Sequence, residues 1–317
     1  MAEQPCSALI TGAAGFCGSY LTELFRAEDI RVVGVDQVGS NAQSGEYRLE
    51  SLDLRDEAAV RGLIAETQPD WLVHLAALTN PAAPVSDLYA VNVFATIGLL
   101  QAVKELAPDC TVLIAGSSAQ YGVTTPDENP ISEAQVFRPV THYALTKATQ
   151  DLVGGMASAA GLAVIRTRTF NIIGPRQSPA FVTAAFARQI AEIERGLRAP
   201  VIEVGNLAAQ RDFLDVRDVA RAYWLALARG RPGQIYNVCS GTGRSIRELL
   251  DGLLALSTVR DIEVRRDPRR MQPADVPAQV GSYDRLHAET GWQPQIAWEQ
   301  SLRDLLDYWR ATVISNR

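Results

Sequence analysis

Short apolar runs rich in β-branched residues alternate with longer stretches of helical periodicity through the first half of the chain. The runs are ALIT at 8–11, RVVGV at 31–35, WLVHLAA at 71–77, TVLIAG at 111–116 and LAVIRTRTF at 162–170. Strands that read as continuous apolar runs are buried on both faces, so the rhythm predicts βαβ units forming a parallel sheet with helices on either side. Farther along, the pattern is less regular. RDFLDVRDVARAYWLALA at 211–228 reads as a loop entering a helix, QIYNVCSG as a strand, and TGRSIRELLDGLLAL as a helix opened by a Ser/Thr cap. The expected architecture is α/β: a doubly wound parallel sheet with a smaller second lobe interleaved with it. No repeat, low-complexity run or Pro/Gly/Ser linker interrupts the pattern.

Composition narrows the function classes. With 317 residues and 47% hydrophobic content the chain can bury a large core, and a net charge of -6 opposes a nucleic-acid partner, which needs a basic face. Cys6, Cys17, Cys110 and Cys239 have no metal-ligand spacing, and His74, His142 and His287 do not cluster with them, so neither a metal site nor a disulfide framework is expected. The start, MAEQPCSALITG, lacks a signal-peptide pattern, and no run is read as approaching the ~18 to 20 apolar residues of a membrane span. A soluble cytoplasmic protein acting on a small substrate is expected.

Two constellations carry chemistry. After the first strand comes TGAAGFCGSYLTELF, where Gly12, Gly15 and Gly18 lead into an amphipathic helix. Glycines there permit a tight turn and close backbone approach to a pyrophosphate, whose charge meets the helix N-terminus. The second strand ends at Asp36, whose carboxylate suits two ribose hydroxyls and repels a 2′-phosphate, so NAD(H) is favoured. NADP(H) remains the alternative if Arg31 or Arg55 takes the phosphate. Cys17 reads as a small filler of the loop. In THYALTKATQ, Tyr143 and Lys147 stand four positions apart. On a helix this puts the ammonium beside the phenol and favours phenolate.

The order of the glycine loop, Asp53-Leu54, HLAALT, Asn92 in VNVFATIGLL, AGSSAQYG, the Tyr143/Lys147 pair and RTFNIIGPRQ resembles the extended short-chain dehydrogenase/reductases. The resemblance implies a Rossmann-type domain over 1–170, with 214–238 returning to it, and a nucleotide-sugar lobe from 171–213 and 239–317. It implies a catalytic set of Ser117, Tyr143 and Lys147, with Ser118 the neighbouring register. It also places Gly12, Gly15, Phe16, Cys17, Gly18, Asp36, Asp53, Leu54, Leu75, Ala76, Ala77 and Phe170 along the cofactor. Asn92 reads either as a site residue or as a satisfied polar group of its helix.

Later stretches, from ARQIAEIERGLRAPVIEVGNLAAQRDFLDVRDV through VPAQVGSYDRLHAETGWQP to SLRDLLDYW, resemble the GDP-6-deoxy-4-keto-mannose reductases. Asn171, Arg188, Arg211, Arg270 and Asp275, with Ser118, are then expected around a GDP-sugar. Ile172, Arg176 and Gln272 stand where that family usually carries His, Gly and Arg, leaving the base and the fine sugar contacts open. A dehydratase would need a carboxylate after the catalytic Ser/Thr, where this chain reads Ser117-Ser118-Ala119-Gln120. The expectation is NAD(P)H-dependent reduction of a 4-keto sugar, with a 4-epimerase or a talose-forming reductase as alternatives. The resemblance also implies a homodimer packed through the helices carrying Asn92 and Tyr143.

Overall fold

The computed structural model describes residues 7–37, 47–80, 82–268 and 276–315. Its central sheet contains β1 (Ser7–Thr11), β2 (Arg31–Asp36), β3 (Arg48–Ser51), β4 (Trp71–His74), β5 (Thr111–Ser117), β6 (Val164–Thr169) and β10 (Ile235–Val238). Their order is β10-β6-β5-β4-β1-β2-β3, and every pairing is parallel. Both β1 and β4 are buried at every position, the consequence of helices covering each face. On one face lie α1 (Phe16–Ala27) and α7 (Val216–Arg229), whose Leu21, Phe25, Val219 and Tyr223 share a core with Ile10 and Val73. The other face is covered by α2 (Glu57–Thr67), α4 (Ala95–Leu106) and α5 (His142–Ala159), around Leu9, Leu72 and Val112.

The short α3 (Val85–Tyr89) runs through a π-helical turn, Ala90–Phe94, into α4. The continuous helix Val85–Leu106 has a mean hydropathy of 1.3 and is long and apolar enough to cross a membrane by length and composition, contrary to the sequence expectation. In this fold its inner face packs on the sheet, and 44% of its most apolar window is buried.

The second lobe is built from β7 (Asn171–Ile173), α6 (Val182–Glu194), β8 (Val201–Val204), β9 (Gln210–Asp215), β11 (Gly243–Ser245), α8 (Ile246–Leu256), β12 (Glu263–Arg266), β13 (Ala278–Gln279) and α10 (Trp298–Ser315). Residues 210–215, expected as a loop, form β9, because their backbone pairs with β11 and β13 at one end and with β7 at the other. Phe186, Ile190, Leu249, Leu253, Leu305 and Trp309 form the lobe's own core. The chain also returns to the first sheet once more than the resemblance implied: α9 (Asp284–Thr290) and Trp292 pack with α7 and β10, and the Trp292 indole donates to Asp218 O at 3.1 Å.

Candidate active site

A cleft of about 1140 Å³ opens at the C-terminal ends of β1, β4, β5 and β6, where the strand order reverses between β1 and β4. Helices connect in opposite senses on the two sides of that point, so the strand ends diverge and leave a crevice. The second lobe supplies the facing wall through Gln177, Phe181, Val182, Thr183, Arg211, Phe213 and Gln279.

At one end is the glycine loop. Gly12 has φ +72, and a Cβ there would come within 2.9 Å of Ala76 N; one at Gly18 would meet Gly12 O at 2.1 Å. Only glycine lets this turn lie against the β4 loop and α1. Helix α1 starts without a side-chain cap and without an acidic residue in its first turn, and its N-terminal residues line the cleft. That is the electrostatic fit for a dinucleotide's diphosphate. Asp36 accepts from Ala14 N at 2.8 Å and from Gln37 N at 2.8 Å, fastening the loop to β2. Burial pushes the Cys17 thiol up to about 12, consistent with an inert filler.

Of the arginines considered for a 2′-phosphate, one stands apart from Asp36 and the other is in an exposed ion pair. Arg31 opens β2 and Asp36 closes it, a separation of about 16 Å at the ~3.3 Å rise of a parallel strand. Arg55 is held by Asp53 through Nη2 at 2.6 Å and Nε at 3.0 Å.

At the middle of the cleft stand Ser117, at the end of β5, and Tyr143 and Lys147, on the first turns of α5. Burial raises the Tyr143 phenol above its ordinary pKa, and the neighbouring Ser117 hydroxyl offsets only part of that shift. The expected phenolate is therefore corrected. Lys147 is not directed at Tyr143: its Nζ donates to Ala115 O at 2.8 Å and to Gln150 Oε1 at 2.8 Å, and burial lowers its pKa to about 8. The site holds a protonated phenol beside an ammonium of weakened proton affinity.

Ser118 is turned away into a reciprocal pair with Gln279, its Oγ donating to Oε1 at 3.0 Å while Gln279 Nε2 donates to Ser118 O at 3.0 Å. Ser117 is thus the hydroxyl presented to the phenol. Asn92 is fully buried: its Oδ1 accepts from Leu78 N at 2.7 Å, and its Nδ2 donates to Leu78 O at 3.0 Å and Thr146 Oγ1 at 3.1 Å. It secures the β4 loop without facing the cleft.

The fold brings the sequence-selected cofactor residues into this cleft together with Ser117, Ser118, Asn171 and Arg211. Arg211 also donates to Val276 O at 2.7 Å. Arg188 is elsewhere, on an exposed face of α6, donating to Glu192 at 2.7 Å and stacked over Trp309. Arg270, Gln272 and Asp275 lie outside the described residues. The sequence reading missed Gln177, Phe181, Thr183, Tyr223 and Gln279. The first three surround the start of α6, which its hydrophobic periodicity could have located; Tyr223 and Gln279 arrive through long-range packing.

A family model described as GDP-mannose 4,6 dehydratase matches residues 9–305. The chain belongs to that family, among the extended short-chain dehydrogenase/reductases. This family member is 40% identical to a GDP-6-deoxy-D-mannose reductase of Pseudomonas aeruginosa, over 77% of its own length and 82% of the relative's. It is 27% identical to a GDP-6-deoxy-D-talose 4-dehydrogenase of Aggregatibacter actinomycetemcomitans, over 88% and 89% of the two chains. Among solved structures, RMD from Pseudomonas aeruginosa complexed with NADPH superposes with a TM-score of 0.85 at 34% identity, covering 96% of this chain and 98% of that one. A Thermus thermophilus UDP-glucose 4-epimerase in complex with NAD gives 0.84 at 28% identity, covering 96% and 99%. The family member is an NAD(P)-dependent oxidoreductase.

Proposed function

We propose that the protein reduces the C4 keto group of GDP-4-keto-6-deoxy-D-mannose to give GDP-D-rhamnose. The observation that carries this reading is the make-up of the cleft around Ser117 and Tyr143: two neighbouring hydroxyls, one lysine and no carboxylate among the described residues there. Of the cleft's aspartates, Asp36 and Asp53 lie beside the glycine loop and Arg55, and Asp87 interacts with Arg55. Eliminating water across C5 and C6 needs an acid/base carboxylate, and the residue lining that wall is Ala119. Reduction needs one proton donor and good positioning. Similarity to the Pseudomonas reductase supports GDP as the nucleotide.

When bound, a reduced nicotinamide supplies the hydride. The glycine loop and the α1 N-terminus would hold its diphosphate, and Lys147 its ribose. Tyr143, kept protonated by burial, gives its proton to the sugar O4 as charge develops there. Ser117 hydrogen-bonds to the same oxygen and fixes its distance from the phenol. NAD(H) is the cofactor we favour: Asp36 stands at the ribose end, while Arg31 and Arg55 are committed or distant.

The test is incubation of the purified protein with GDP-4-keto-6-deoxymannose and NADH or NADPH, with the product identified by NMR. A rhamno product supports the reading; a talo product puts hydride on the other face of C4. Absence of reduction, with tightly retained NAD and 4-epimerisation of a sugar nucleotide, replaces it with an epimerase.

A further inference from the structure

Lys147 is one end of a buried chain of polar side chains that crosses the sheet. Thr11 on β1, His74 on β4, Thr96 on α4 and Gln150 and Lys147 on α5 are each no more than 4% exposed. Lys147 Nζ donates to Gln150 Oε1 at 2.8 Å, and Gln150 Nε2 donates to Thr96 Oγ1 at 2.8 Å. His74 Nε2 lies 2.9 Å from the same Thr96 oxygen, and its Nδ1 lies 2.8 Å from Thr11 Oγ1. Thr11 Oγ1 accepts from Ala76 N at 3.3 Å, in the loop that touches Gly12.

Chemistry fixes the direction of the first two links, and one assignment at Thr96 sets the others. An ammonium only donates, so the Gln150 oxygen must face Lys147 and its NH₂ must face Thr96. We assign the single Thr96 hydroxyl proton to the carbonyl Asn92 O at 2.9 Å, which can only accept. Thr96 can therefore only accept from His74, which places the imidazole proton on Nε2 and makes Nδ1 the acceptor of the Thr11 hydroxyl. A charged imidazolium would bring a second donor against Thr11 and a second cation beside Lys147.

We propose that Gln150, Thr96 and His74 are positioning residues that hold the Lys147 ammonium and couple it to the cofactor loop at Ala76. None of them lines the cleft, so they act through Lys147 and the loop. The inference rests on the cleft's geometry and not on which sugar is reduced. Burial depresses His74 to about 3, so it stays neutral throughout the working range. The titratable groups around Lys147 are His74 from β4 and Tyr143 on its own helix; Cys17 from α1 and Tyr223 from α7 face Tyr143. Burial is the cause of the lysine's depression, with no carboxylate offsetting it.

The composition makes this directly measurable, because the chain has two lysines, Lys104 and Lys147, and three histidines. We would follow Lys147 by NMR of the ¹⁵N-lysine-labelled protein, with Lys104, on the exposed side of α4, as internal reference. Gln150→Glu places a carboxylate against the ammonium and should raise the midpoint of Lys147's titration by about one pH unit or more. Gln150→Leu removes an acceptor from the charged form and should lower it. Cofactor affinity, titrated by NADH fluorescence, should fall in the Leu variant. Lys104 should not move. If Lys147's midpoint is the same in both variants as in the native protein, Ala115 O alone holds the ammonium and the proposal is overturned. The native protein gives a test that requires no variant: His74 should stay neutral with its proton on Nε2 from about pH 6 to 9. An Nδ1–H tautomer or a charged His74 in that range would overturn the proposal independently of any sugar assay.

Discussion

Tyr143 shows how one residue's role depends on what surrounds it. Its spacing from Lys147 puts both on the same face of α5, yet burial dominates the phenol and Lys147 is bound to Ala115 O and Gln150. The tyrosine is thus a stored acid. Tyr143→Phe removes the proton donor alone, so kcat for keto-sugar reduction should drop on the order of 10²-fold or more while NADH affinity hardly changes. Steady-state kinetics paired with cofactor titration check this, and near-normal turnover would sink the assignment. Asp36 lines the cleft and accepts from Ala14 N, so the ribose contact proposed for it and the anchoring of the loop fall on one carboxylate. Asp36→Ala should consequently weaken both cofactors by loosening the glycine loop, but NADH more than NADPH, because it also deletes the repulsion of a 2′-phosphate. The ratio of kcat/KM values measures the second effect apart from the first. A native preference for NADPH would contradict the role given to Asp36.

At the scale of elements, α5 is pinned to the sheet from beneath. Asp151, buried on the helix, accepts from Arg168 Nε at 2.9 Å, Arg166 Nη1 at 3.2 Å and Gln120 Nε2 at 3.0 Å. Gln120 belongs to the turn that follows Ser117, and Arg168 continues to Tyr121 Oη at 3.1 Å, so the clamp joins both catalytic elements to β6. Asp151→Ala would leave the buried Arg168 and the partly buried Arg166 without their carboxylate, which should cost about 3–5 kcal/mol in urea unfolding, the scale for breaking a buried ion pair from one side. A loss no larger than that of an exposed pair would mean water replaces the carboxylate. None of these partners is near Asp151 in sequence, which is why α5 was legible and its clamp was not. Arg176 illustrates the same limit. It occupies a left-handed conformation with φ +71, where the related reductases' glycine is the natural choice. Here it is retained by Glu23 at 2.6 Å and by stacking 3.8 Å over Tyr20, contacts that span from α1 to the loop after β7.

At the scale of the whole molecule, the π-helical turn before α4 and the outer face of α5 leave apolar side chains uncovered: Phe94 is 66% exposed, Leu152 64% and Met156 64%. We propose this face as the contact of the homodimer that the family resemblance implies. Leu152→Glu should convert a dimer into a monomer in light scattering with the fold intact by circular dichroism, since a charge at an apolar contact is costly to desolvate. A native protein already monomeric at micromolar concentration would remove the contact. The order of strands and helices, the glycine turn, the catalytic spacing on α5 and the Ser245 cap of α8 were all written locally, because each depends on residues within a few turns of one another. The sequence alone therefore determined an α/β dinucleotide fold and singled out Ser117, Tyr143 and Lys147, which the fold brings into one cleft. Tertiary structure decided the rest: that 210–215 is a strand, that Arg188 faces solvent, that Ser118 turns to Gln279, and that Tyr143 is held as an acid. Those outcomes come from pairing, desolvation and hydrogen bonds between segments distant in sequence, energies that no local pattern contains.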